Sequence, residues 1–287
     1  MEEHGEGEFT ANDGGYYVGK WKDGRRDGFG FSVAPHEVVK CGVWAKGRFR
    51  GEQMLYHSER IYGIDISKYQ HVHKRRVYGI DWRNLRITRL GHTADRNALG
   101  AVDYPVSFVY IKSTEGLTVF NPYYTRDVRA ARRYGFPVGA YHFFSTRPAM
   151  SQADYFLKKS RLQKGDLPPM LDVELSDRRI AAMGGRDVLF REMLVWLKEV
   201  GRRSGTTPII YVSQDFVNRY MPFAPEELKA YPVWVARYGE YKPYVHLLYW
   251  QLSPDGRVRG IQGDVDIDVF NGSEEQFKRY LRTQTVK

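Results

Sequence analysis

From residue 60 onward, short runs of β-branched and aromatic residues recur, each followed by a polar residue or a turn signal. Eight runs stand out, at 62–66, 108–112, 137–142, 169–173, 208–212, 233–236, 247–251 and 263–269. The intervals between the second and fifth carry helical patterns at 122–134, 150–161 and 186–203. In the last of these, Val188, Leu189, Met193, Trp196, Leu197 and Val200 make one apolar face. After the fifth run only 214–220 and 225–230 have room for helix, and nothing helical fits between 238 and 246. The pattern predicts an α/β fold, a TIM-like barrel of eight strands with about five helices, the late helices missing and the barrel closing with short loops or hairpins rather than full βα units. A doubly wound open sheet is the competing arrangement, and the strand count favours the barrel.

The first sixty residues are patterned differently. Glycines at 19, 24, 28 and 30 among Tyr17, Trp21, Phe29 and Phe31 exclude a helix and predict a hairpin turning at Lys22-Asp23-Gly24. A poorer copy follows at 42–51. The shared frame Gly-x-Trp-x-x-Gly occupies 19–24 and 42–47, an internal repeat. The expected organisation is a flexible N-terminus over 1–15, a β-hairpin repeat module over 16–58 and the barrel over 60–282. Two repeats are too few for a free-standing array, so the module is expected to dock on the barrel.

The 287-residue length holds one large domain and an appendage, and 42% hydrophobic with 27% charged residues is the balance of a chain with a true core. No window approaches the run of about 20 apolar residues that a membrane span needs. The acidic start shows no signal peptide. One cysteine, Cys41, excludes an internal disulfide and any multi-cysteine metal site. The net charge of +10 favours polyanionic surroundings, but the basic residues are interspersed with acids and form no nucleic-acid stripe. Neither a phosphate loop, a dinucleotide fingerprint nor a Gly-x-Ser-x-Gly elbow occurs.

Acids fall where a barrel places its chemistry, at strand ends. The first strand ends Gly63-Ile64-Asp65-Ile66-Ser67, the fourth Leu171-Asp172-Val173-Glu174, and the eighth contains Asp264, Asp266 and Asp268. Asp172 and Glu174, two apart, share a face. Carboxyls crowded in one cleft raise one another's pKa, which creates the proton-bearing acid that glycoside cleavage needs. Tyr110, Lys112, Tyr141, Tyr211, Trp234, Tyr238 and Gln251 lie on or just after strands and are candidate sugar contacts, although each aromatic alone fits a core position equally well. His142 has no second ligand at metal spacing and reads as a hydrogen-bonding or core residue.

Two resemblances follow from these motifs. Tyr17, Gly19, Trp21, Gly24, Gly28 and Gly30 resemble the MORN repeat, which implies a module for protein or lipid contact. Residues 60–280 resemble glycoside hydrolase family 25, through Gly63-Ile64-Asp65-Ile66-Ser67-Lys68-Tyr69-Gln70, Phe108-Val109-Tyr110-Ile111-Lys112, Gly139-Ala140-Tyr141-His142-Phe143, Leu171-Asp172-Val173-Glu174, Trp234-Val235-Ala236-Arg237-Tyr238, Trp250-Gln251-Leu252-Ser253 and Val265-Asp266-Ile267-Asp268. The resemblance implies an N-acetylmuramidase acting on peptidoglycan outside the cytoplasm, without metal or other cofactor. It implies Glu174 as general acid/base, Asp172 as its partner, and Asp65 and Asp266 as further acids of the cleft. Retaining and inverting outcomes stay open. The alternatives are a chitinase-like N-acetylhexosaminidase and an inactive wall-binding protein. Two features depart from the family: the longer link at 87–105, expected as a loop beside the cleft, and Asp268 where the family usually has Asn.

Overall fold

The computed structural model describes residues 5–12, 16–33, 37–38, 40–52, 61–73, 75–93, 96–98, 102–236, 240–241, 246–270 and 274–287. Eight strands form a closed barrel: β1 (Tyr62–Ile66), β2 (Val109–Glu115), β3 (Val138–Phe143), β4 (Met170–Asp172), β5 (Ile209–Ser213), β6 (Pro232–Ala236), β7 (His246–Arg259) and β8 (Val265–Phe270). Strands β1 to β7 pair in parallel, each with the next. The closing strand β8 runs antiparallel to both β7 and β1. Only five residues separate β7 from β8, too few for the crossover that a parallel connection requires, so the chain turns back as a hairpin.

Alternation along the strands sorts the side chains into two cores. Ile64, Ile66, Leu171, Val173, Ile267 and Val269 face outward into the layer under the helices. Phe108, Tyr110, Trp234, Tyr249 and Phe270 fill the barrel interior. The interior closes up only because Gly63 and Gly139 have no side chain. A Cβ on Gly63 would stand 2.2 Å from the Phe108 ring, and one on Gly139 would stand 2.3 Å from Tyr110.

The helices are α1 (Tyr124–Arg133), α2 (Ala149–Ser160), α3 (Asp177–Ala182), α4 (Arg186–Ser204), α5 (Gln214–Arg219), α6 (Glu226–Lys229) and α7 (Glu274–Thr283). The five expected ones are present. On α4, Phe190 is buried where Val188 was expected, and Gly205 ends the helix in the left-handed conformation at φ 68°. Helix α3 is too short for a periodic signal. Helix α7, which the sequence pattern did not single out, plugs the barrel bottom with Phe277, Tyr280 and Leu281, Phe277 standing 5.9 Å from Phe108 and 5.0 Å from Phe270.

The long link after β1 is not a plain loop. Arg86–Arg89 pairs with the far end of β7 and with Tyr104–Pro105, and Gly91–Thr93 pairs with Arg96–Ala98. Ile87, Leu90 and Tyr104 are buried, which anchors the arm. Before the barrel, Gly5–Thr10, Tyr16–Lys22, Arg25–Val33, Lys40–Ala45 and Arg48–Glu52 form an antiparallel sheet in sequence order. The first of these strands lies in the segment expected to be flexible. It is held because Gly7 leaves room for the Trp21 indole, whose N–H donates to the Gly7 carbonyl over 3.1 Å. Glu37–Val38 pairs with Glu240–Tyr241, and Gln276 donates to Glu8, so the sheet meets the barrel at two places.

A Gly63→Ala protein is expected to lose about 1–3 kcal/mol of stability through overpacking against Phe108. Urea unfolding checks this; a midpoint equal to the parent's would show that the interior yields at no cost.

Candidate active site

Because β8 enters the barrel from the opposite direction, Asp266 reaches the open mouth from the start of its strand rather than from the end, correcting the strand-end expectation for this acid. It is the cross-strand partner of Asp65. Asp172 is the last residue of β4, and Glu174 follows two residues beyond the strand. All four line one cleft of about 650 Å³ at the mouth. Asp65 and Asp172 are buried, whereas Glu174 is open to the cleft.

Tyr141, Tyr211, Gln251 and Lys112 line the same cleft. The Tyr211 hydroxyl donates to Gln251 Oε1 over 3.2 Å, which leaves the Gln251 amide N–H to serve the Asp65 carboxylate, together with the Tyr141 hydroxyl. Lys112 donates to Glu115 Oε2 over 2.7 Å and lies 4.4 Å from the Phe143 ring centre. Two expected sugar contacts are elsewhere. Tyr110 and Trp234 are fully buried one layer down, the Tyr110 hydroxyl donating to the Pro168 carbonyl over 3.0 Å and the rings 5.0 Å apart. Both point inward, but the mouth starts one layer above them. Tyr238 lies outside the described residues.

The crowding shifts protons as expected. Burial and the neighbouring Glu174 push Asp65 up to about 7, and burial with Asp65 and Glu174 pushes Asp266 up to about 9. Burial raises Asp172 well above the carboxylate range, helped by Glu174 and Asp65. Glu174 is raised by burial and drawn back down by the Lys112 ammonium. The cleft thus holds several carboxyl protons at neutral pH, and among the described residues that line it Lys112 is the one cation that favours ionisation.

Asp268 forms a fifth acid beneath these four. It is fully buried opposite Gly63, and no hydrogen bond of normal geometry reaches either carboxyl oxygen, although the Trp234 indole and the Asp65 amide face it. Burial, then Asp65 and Asp266, hold its pKa well above the usual value. His142 is a core residue. Gln152 donates to the carbonyls of Ser145 and Arg147, which fixes its Oε1 as acceptor for the His142 Nε2–H at 3.0 Å, and Thr114 donates to Nδ1 at 2.7 Å. Burial lowers its pKa to about 4 and keeps it neutral.

The cleft also contains residues that sequence reasoning did not single out. Tyr69 stands 68% exposed on one rim. Phe216 and Tyr220 stack on the other, 4.9 Å apart. Asp177 accepts from the Tyr220 hydroxyl and from Arg219, both at 2.7 Å, and so ties the start of α3, just after Glu174, to α5. Tyr69 lies within the motif at 63–70, but nothing in the sequence joins Asp177 to Tyr220. Among the described residues no three His, Cys, Asp or Glu side chains are grouped to hold a metal, and no helix is long and apolar enough to cross a membrane.

A raised carboxyl pKa stabilises the fold at low pH, and that stability is lost as pH climbs from the unfolded value of about 3.9 through the raised one. Asp268→Asn removes this dependence at one site. It is expected to stabilise the protein by about 1–3 kcal/mol at pH 8 relative to the parent and by much less at pH 4. Thermal unfolding at both pH values checks this, and an equal effect at each would show that Asp268 does not titrate.

Residues 64–261 match the family described as Glycosyl hydrolases family 25. The uncharacterized protein YegX of Escherichia coli is 34% identical over 228 residues, spanning 78% of this chain and 74% of the relative. Lysozyme M1 of Streptomyces globisporus is 29% identical over 229 residues, spanning 74% and 68%. Of solved structures, a family 25 glycosyl hydrolase from Bacillus anthracis aligns with a TM-score of 0.61 at 24% identity over 82% of this chain and 99% of that one. The lysozyme of Streptomyces coelicolor aligns with a TM-score of 0.61 at 25% identity over 77% and 96%. With more than half its length matched and the barrel and acid-lined mouth in place, this chain belongs to glycosyl hydrolase family 25 and is a glycoside hydrolase.

Proposed function

We propose that the protein is a lysozyme, an N-acetylmuramidase that hydrolyses the β-1,4 bond between N-acetylmuramic acid and N-acetylglucosamine in peptidoglycan. The observation that carries this reading is the convergence of Asp65, Asp172, Glu174 and Asp266 on one cleft, with Glu174 the most exposed of the four. Relatives named lysozyme and N,O-diacetylmuramidase support the same substrate. Peptidoglycan lies outside the cytoplasmic membrane, so the protein works in the periplasm or beyond the cell. The N-terminal sheet, with its two Gly-x-Trp-x-x-Gly frames, is read as a MORN-like contact module.

In the proposed mechanism Glu174 gives its proton to the leaving glycosidic oxygen as the bond to the anomeric carbon breaks. The carbonyl oxygen of the substrate's own 2-acetamido group attacks that carbon, with Asp172 holding the acetamido N–H. Water then opens the cyclic intermediate and returns its proton to Glu174. Asp65 and Asp266 shape the charge around the reacting sugar. Tyr141, Tyr211, Gln251 and Lys112 supply contacts to it.

Digestion of purified peptidoglycan with mass spectrometry of the products is expected to give fragments with reducing-end N-acetylmuramic acid. Glu174→Gln is expected to lower the rate about 100-fold or more. Reducing-end N-acetylglucosamine would make the enzyme a glucosaminidase, and a near-normal rate from Glu174→Gln would remove that residue from the mechanism.

The Lys112 charge favours ionised Glu174, so its removal raises the Glu174 pKa and keeps the acid protonated to higher pH. Lys112→Gln is expected to move the alkaline limb of kcat/KM upward. A limb that stays in place would mean that another group sets it.

A further inference from the structure

The N-terminal sheet ends in two tight turns that lie side by side. Asp23 and Gly24 have φ 51° and 66°, and Lys46 and Gly47 have φ 51° and 80°, the left-handed pairs of two-residue hairpins. The turns are locked together, because the Gly47 amide donates to the Arg26 carbonyl over 2.8 Å and the Lys46 amide donates to Asp27 over 3.0 Å. Behind them Tyr17, Trp21, Trp44 and Phe49 pack as a file of rings 4.6–5.2 Å apart. Lys22, Arg25, Lys46 and Arg48 flank the turns, and all four are exposed. Among the described residues the acids near this tip are Asp23, in the first turn, half-buried Asp27, already engaged by the Lys46 amide, and Glu6, whose backbone pairs with Lys20.

The opposite end of the sheet is anchored. Glu37–Val38, in the link between two of its strands, pairs with Glu240–Tyr241, which follow β6 on the mouth side of the barrel. The nine-residue strand Arg25–Val33 rises about 3.3 Å per residue, so the cationic tip stands roughly 25 Å from that anchored end. None of the residues of the two turns lines the cleft, so the turns do not hold the sugar being cleaved. They can touch another part of a polymer that carries the same acid group at every repeat.

We propose that the paired turns are a second binding site, which holds the carboxylates of peptidoglycan stem peptides while the cleft holds the glycan. This rests on peptidoglycan being the substrate. Two contacts to one polymer, tied through a folded sheet, make the second binding event intramolecular, and avidity then exceeds the affinity of either contact. Attraction between exposed charges weakens as salt rises.

The test is sedimentation with purified sacculi, using Glu174→Gln to prevent digestion, with and without Lys22→Gln, Arg25→Gln, Lys46→Gln and Arg48→Gln. The four changes are expected to weaken binding about tenfold at low salt and to flatten its salt dependence. In the active background, turnover of a soluble, peptide-free glycan is expected to stay within about twofold of the parent's. Methyl-esterifying the sacculus carboxyls is expected to weaken the parent to the level of the variant. Neutralising each turn separately, in proteins with parental circular dichroism, keeps the test informative if the fourfold variant folds poorly. Unchanged binding by the variants would overturn the proposal, as would parental binding that survives esterification or that favours vesicles of anionic lipid over sacculi. Failure of the muramidase reading would show instead as an active-background protein that releases no sugars, and charge-dependent sedimentation would be scored independently of it.

Discussion

Closure of the barrel by one antiparallel strand is the constraint on which the rest depends. With β8 hydrogen-bonded to β1 on one side and β7 on the other, the barrel itself keeps no open edge, and the start of β8 lies at the mouth beside the ends of the parallel strands. Asp266 is thereby set directly across from Asp65. A parallel eighth strand would have carried Asp266 toward the closed end. The hairpin also lets β7 run on for 14 residues, long enough for its far end to receive the arm built from Arg86–Arg89.

Electrostatic crowding follows from that closure. Asp65, Asp172 and Asp268 are buried and Asp266 is half-buried beside them, and each charge placed there opposes the next. The fold tolerates them because most need not ionise. Lys112 counters the crowding at Glu174, the acid the cleft exposes. The layer beneath is largely aromatic, with Trp234 4.8 Å from Tyr249 and 5.0 Å from Tyr110, so the acids stand on a buried apolar floor. Helix α7 seals that floor from below.

Outside the mouth, the molecule adds cross-links that connect distant segments to the site. The Asp177 contacts with Arg219 and Tyr220 join the segment after Glu174 to α5, and the capping box of Ser67 with Gln70 fixes the chain leaving β1 beside Asp65. Exposed ion pairs of this kind add little to global stability. Their effect is local, in limiting how far the loops that carry the acids can move.

The sequence by itself determined the eight strands, the main helices and the four acids of the cleft, because strand alternation and helical periodicity are local and each acid lay within a short motif. It also marked both hairpin turns through Gly24 and Gly47. The missing late helices already pointed to closure by short loops or hairpins, and tertiary structure decided that β8 is the strand that reverses, since residues 263–269 carry the same alternation whichever way the strand runs. It decided that Tyr110 and Trp234 belong to the floor while Tyr141 and Tyr211 belong to the mouth, because all four point inward and only their height in the closed barrel differs. It paired Gly5–Thr10 with Tyr16–Lys22 through the fit of Trp21 over Gly7, and it placed Asp177 against Tyr220. These features depend on contacts between residues far apart in the chain, and no local pattern encodes the distance between them.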